Sequence, residues 1–135
     1  MFEDVEKIVL SGEDFPIKCD ILVLEKIQNK YGELGSFENG ISGFTPKVDE
    51  NGEEVRNDEG LLIGTYGMPN LEMLNDALVW FVTEGMEIEK ERGKEYPEIT
   101  NNALLRKVDW HPKDLGNRLH KEFTRCFVRK NETTA

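Results

Sequence analysis

The sequence predicts an α+β domain, mostly helical: an N-terminal β-hairpin packed on about four helices, with an acidic loop or small hairpin inserted after the first helix. Three observations carry this expectation. Residues 8–32 read as strand, tight turn, strand, helix and stop. Two later stretches repeat apolar residues at helical spacing. Between them, residues 33–67 are rich in Gly, Asn, Asp and Glu. A chain of 135 residues is long enough for one core, so residues 1–135 are expected to form one domain.

The elements follow in order. Ile8-Val9-Leu10 is strand-like, and Phe15, Ile17 and Cys19 alternate with period two. Ser11-Gly12-Glu13-Asp14 supplies the turn between them. Asp20 is a helix N-cap candidate; Ile21, Leu24 and Ile27 recur at helical spacing, and Gly32 ends the helix. In the acidic segment, residues 47–55 read as a small hairpin turning at Asn51-Gly52. With few large apolar residues, this segment is expected to be dispensable for folding. No internal repeat stands out.

A long helix opens near Pro69-Asn70 and runs toward Arg92, with Gly93 as its stop. Leu71, Leu74, Leu78, Phe81 and Val82 share one face and are its expected core stripe. Gly85 within it costs roughly 1 kcal/mol relative to Ala, which suggests a close contact or a bend. Met73 and Trp80 fall on the other side, among Asp76, Glu84 and Glu87. They are candidates for a partner-binding patch, one that a second copy of the chain could also fill, because both types are favoured at interfaces. The competing expectation is that another segment of the same chain covers them. A short helix follows over residues 99–108, capped at Thr100 or Asn101.

The last helix starts at His111-Pro112 and fades near Asn131. Leu115, Leu119, Phe123 and Cys126 share its apolar face. Arg118, Lys121, Arg125 and Arg129 form a basic stripe beside it, suited to an acidic partner or simply solvated.

Charge narrows the partners. The net charge is −10, which opposes approach to nucleic acid and anionic membrane. Residues 33–60 hold eight acids against Lys47 and Arg56, while residues 103–135 hold eight bases against four acids. The two ends are therefore also candidates to attract each other within the fold. No apolar run approaches the roughly 18 residues that cross a bilayer. The acidic opening Met1-Phe2-Glu3-Asp4 has no apolar stretch of the secretory type, so a cytoplasmic location is expected. Cys19 and Cys126 fit a reducing compartment, where a disulfide is not expected.

Chemistry-bearing motifs are sparse. There is no Walker loop, GxGxxG, CxxC, HxxxH or HExxH pattern. His111 and His120 are nine apart, the wrong spacing for two ligands on one helical face. Asp49-x-Asn51-Gly52 is superficially like a calcium loop, but the first ligand position would be Lys47 and the last Asp58, so the pattern fails. Cys126 and His120 lie on different sides of their helix and cannot pair as nucleophile and base. The expectation is a non-enzymatic protein with no catalytic residue, cofactor or metal.

Two stretches carry a resemblance. Phe15-Pro16-Ile17-Lys18-Cys19-Asp20 is followed by Leu24-Glu25-Lys26-Ile27-Gln28-Asn29-Lys30-Tyr31-Gly32. Ala77-Leu78-Val79-Trp80-Phe81-Val82-Thr83-Glu84-Gly85-Met86-Glu87-Ile88 comes later, then a charged linker and a short helix. This order resembles the tail assembly chaperones of long-tailed bacteriophages and prophages of Gram-positive bacteria, with their strand pair, "LExIQxKYG" helix and later "EGxEI" helix. The acidic segment is longer than the family pattern. The resemblance implies a cytoplasmic factor of the bacterial host cell that binds the phage tape-measure protein. Such a factor keeps apolar helices soluble until the tail tube protein closes around them. The alternative is a small regulatory or adaptor protein of a mobile element that uses its basic C-terminal helix.

Overall fold

The computed structural model describes residues 5–128. Strands β1 (Glu6–Leu10) and β2 (Glu13–Ile17) form an antiparallel hairpin in which Ile8 faces Phe15. Ser11 and Gly12 both take positive φ, 51° and 78°, as a two-residue hairpin turn requires. The Ser11 hydroxyl donates to the Lys107 carbonyl at 2.6 Å and so anchors the turn.

Pro16 dictates how the hairpin edge is used. It has no N–H, so its pair with Lys7 cannot exchange ladder hydrogen bonds, and the backbone groups of Lys7 and Val9 point away from β2. Side chains meet them there. Trp110 Nε1 donates to the Val9 carbonyl at 2.7 Å, and Arg118 Nη2 donates to the Lys7 carbonyl at 3.1 Å. Both bonds blunt an edge that would otherwise invite another strand.

Helix α1 (Ile21–Tyr31) begins where Asp20 Oδ1 accepts from the N–H groups of Leu22 and Val23, and Gly32 closes it at φ 85°. The acidic insertion, expected as a loop or small hairpin, begins instead with helix α2 (Leu34–Ser42), with Phe37 and Ile41 fully buried. Gly35, Gly40, Ser36 and Asn39 all lower its propensity, so packing rather than propensity forms it. That makes five helices among the described residues rather than about four, and Phe37 and Ile41 belong to the core. The 33–67 segment is thus not dispensable as a whole.

Strands β3 (Phe44–Pro46) and β4 (Gly64–Tyr66) pair antiparallel at the base of an excursion described below. Helix α3 (Leu71–Glu91) is the spine. Asn70 caps its start, and Leu74, Ala77, Leu78, Phe81 and Val82 are buried as the stripe predicts. Leu71, placed in the same stripe, is 53% exposed. Gly85 marks a strand crossing: a Cβ there would lie 2.6 Å from the Pro16 carbonyl carbon and oxygen. At the same crossing the Lys18 N–H donates to the Phe81 carbonyl at 2.9 Å.

Helix α4 (Asn101–Leu105) is capped by Thr100. Helix α5 (Pro112–Arg125) is capped by His111, whose Nδ1 accepts from the Lys113 N–H, and it ends short of Asn131. Its Leu115, Leu119 and Phe123 close the core, with Gly116 set directly against the Ile41 carbonyl of α2. No helix among the described residues is long and apolar enough to cross a membrane.

Candidate interaction surface

Residues 47–63 leave the body as a compact β excursion built from a repeat. Lys47, Val55 and Ile63, each eight residues from the next, form a closed ring of backbone bonds. The Lys47 N–H donates to Ile63, Ile63 to Val55, and Val55 back to Lys47, at 2.7, 3.0 and 2.9 Å. Two similar loops join them. In the first, Asp49 Oδ1 accepts from the N–H groups of Asn51 and Glu53; in the second, Asn57 Oδ1 accepts from Glu59 and Leu61. Gly52 and Gly60 take positive φ at the same place, each donating to the carbonyl three residues back. The hairpin expected over residues 47–55 is therefore present, with a three-residue loop, and it is the first of two copies. The repeat escapes notice in the sequence because it rests on Asp/Asn and Gly alone.

The excursion and the adjoining start of α3 carry exposed apolar side chains. Leu61 is 60% exposed, Tyr66 73% and Met68 56%; Val48, Ile63 and Leu71 are exposed as well. The same excursion holds six acids, Asp49, Glu50, Glu53, Glu54, Asp58 and Glu59, all exposed. Between the excursion and the body lies a groove. Phe44, Leu61, Leu62 and Tyr66 make its apolar wall, with the Phe44 and Tyr66 rings 5.1 Å apart. Glu38 and His120, paired at 2.9 Å, lie on its polar wall with Asn117. Exposed apolar side chains in a segment otherwise rich in acids have the make-up of a protein-binding surface. The signal for it was the run Leu61-Leu62-Ile63 inside an otherwise acidic segment.

The candidates drawn from the sequence fall elsewhere. Trp80 is half-buried against Tyr31 and Phe37, with ring centroids 6.4 and 6.2 Å away. Met73 packs on the core, its sulfur occupying the space over Gly40. Helices α1 and α2 cover this face of α3, so Met73 and Trp80 follow the competing expectation of coverage by the chain itself. Asp76, on the same side, accepts from Lys30 Nζ and the Tyr31 hydroxyl, both at 2.6 Å.

The basic stripe is also partly engaged. Arg118 caps the β1 edge and lies 3.7 Å from Glu6, and Arg125 donates to Glu122 at 2.6 Å. Lys121 is exposed, and Arg129 lies outside the described residues. The acidic excursion is not what Arg118 and Arg125 neutralise. Of the segment's acids, Glu38 reaches α5 through His120.

Several buried or half-buried groups have altered acidity, Glu84, Cys19 and Glu89 among them. Glu84 hydrogen-bonds the Asp20 carboxylate; that bond, burial and the Asp20 charge raise its pKa to about 7. Burial pushes the Cys19 thiol up, helped by Cys126 beside it. Burial would raise Glu89 too, but hydrogen bonds from Lys7 and Tyr96 and the charges of Lys7 and Lys94 outweigh it and hold Glu89 below the usual carboxylate range. None of these lines the groove. Among the described residues, no cluster of three or more His, Cys, Asp or Glu is placed to hold a metal ion. Comparisons with family models, curated proteins and solved structures give no match.

Proposed function

We propose that this protein is a non-enzymatic tail assembly chaperone, or a relative of one, that holds apolar segments of a phage tape-measure protein in the cytoplasm of the host. The observation that carries the reading is the exposure of Leu61, Ile63, Tyr66, Met68 and Leu71 in and next to a segment otherwise rich in acids. Exposed apolar side chains in such number serve binding more often than folding. The acids of the excursion and the net charge of −10 keep such a surface soluble and discourage self-association. The resemblance of residues 15–32 and 77–88 to that family supplies the partner. The adaptor reading draws no comparable support, since Arg118 and Arg125 are bound within the chain.

Co-expression with a tape-measure protein from the same gene neighbourhood tests this. The expected result is a soluble complex that is lost when Leu61 and Tyr66 are both changed to Ser. A tape-measure protein that stays equally insoluble with and without this chain would refute it. Micromolar binding to duplex DNA, weakened by Arg118→Glu, would favour the adaptor instead.

A further inference from the structure

The groove between the excursion and the body has a volume of about 610 Å³, within the range of ligand sites. Phe44, Leu61, Leu62 and Tyr66 give it an apolar lining, and α2 and α5 give it a polar one. Most of the polar lining is already engaged. Glu38 pairs with His120 at 2.9 Å, and the Ser42 hydroxyl donates to the Glu38 carbonyl at 3.0 Å. Asn39 of α2 and Asn117 of α5 are the exceptions: neither side-chain amide is bonded among the described residues. Each can donate and accept at once.

Two such amides beside an apolar lining suit a backbone whose own N–H and C=O groups need partners. A helix has few to offer, because its peptide groups bond to one another. An extended segment offers them along its length and turns alternate side chains to one side. Charge selects what flanks that segment. Residues 47–63 hold six acids against Lys47 and Arg56, a net of −4. Lysine or arginine beside the bound stretch is attracted there, and carboxylates are repelled.

We propose that the groove binds an extended apolar stretch of the partner, flanked by lysine or arginine, with Asn39 and Asn117 bonding its backbone. The proposal rests on the reading of the excursion as a binding surface and names the chemistry of what it binds. Alternate apolar side chains lie on Phe44, Leu61, Leu62 and Tyr66, and the flanking cations face the acids of the excursion.

The test uses the full chain and synthetic peptides, read by fluorescence anisotropy. The peptide Lys-Lys-Val-Leu-Val-Leu-Val-Lys-Lys should bind, more weakly as salt rises. Its analogue with glutamate in place of every lysine should not bind. Asn39→Ala and Asn117→Ala should each weaken binding roughly two- to tenfold at an unchanged unfolding midpoint. Methylating the backbone nitrogens of the two leucines should weaken it similarly, with no change to the protein. Equal binding of the glutamate or the N-methylated peptide would overturn the proposal, as would tighter binding of a helix-locked analogue. So would a free chain that is a dimer dissociated by Tyr66→Ser, since a second copy would then fill the groove. Peptide binding beside a tape-measure protein that stays insoluble would sink the proposed function and leave the groove's chemistry standing. A soluble tape-measure complex indifferent to Asn39→Ala and Asn117→Ala would do the reverse.

Discussion

Asp49 and Asn57 hold the same position in successive loops: each side-chain oxygen accepts from the N–H groups two and four residues ahead. The excursion is thus ordered by local bonds and by the ring of Lys47, Val55 and Ile63, not by a core of its own. Asp49→Ala should speed hydrogen exchange at Asn51 and Glu53, and Asn57→Ala at Glu59 and Leu61. Each should cost about 0.5–1.5 kcal/mol locally and leave the unfolding of the body nearly unchanged. A large fall in global stability would mean that the excursion and body unfold as one unit.

Two glycines should answer the same substitution with opposite signs. Gly85→Ala gains helix propensity but drives a methyl group into the Pro16 backbone, so a net loss of about 1–3 kcal/mol is expected. Gly35→Ala in α2 meets nothing within 4 Å and should gain about 0.5–1 kcal/mol. Chemical denaturation of the two variants checks both signs. A stabilised Gly85→Ala protein would show that the hairpin does not lie on α3 there.

Trp80 separates scaffold from surface. Ringed by Tyr31 and Phe37, it should cost about 3 kcal/mol when changed to Ala. Thermal unfolding reads the loss directly. An unchanged midpoint would restore Trp80 as an open anchor.

Glu84 and Asp20 predict a pH effect. The Glu84 pKa is raised in the folded state, so its contribution to stability is full below the ordinary glutamate range and is lost as pH rises through about 7. Protonated, Glu84 donates to Asp20; ionised, it repels the carboxylate that caps α1. Between pH 5.5 and 8 the wild-type unfolding midpoint should therefore fall relative to that of Glu84→Gln, which cannot ionise. Parallel pH profiles for the two proteins would rule the pair out.

Local chemistry made much of the fold legible. Asp20, Asn70, Thr100 and His111 cap the helices they were expected to open, and Gly32 ends α1. Residues whose role depends on distant partners were not legible. Helix α2 was masked by its glycines, although Leu34, Phe37 and Ile41 do keep helical spacing. The choice between an open and a covered Trp80 and Met73 turns on α2, which the local pattern does not reveal. Nothing local shows that Arg118 reaches the β1 backbone, a role outside both expectations for the basic stripe. The exposed apolar residues were hidden for the opposite reason: Leu61 and Ile63 are apolar and would be expected inside, yet the excursion has no interior to take them.

The proposed function makes the body a scaffold and the excursion the binding surface. Replacing residues 47–63 with a short Gly/Ser linker separates the two, provided unfolding and binding to a co-expressed tape-measure protein are measured on the same preparation. Cooperative unfolding near the wild-type midpoint with binding abolished is the predicted result. Binding retained by the shortened protein would contradict the account.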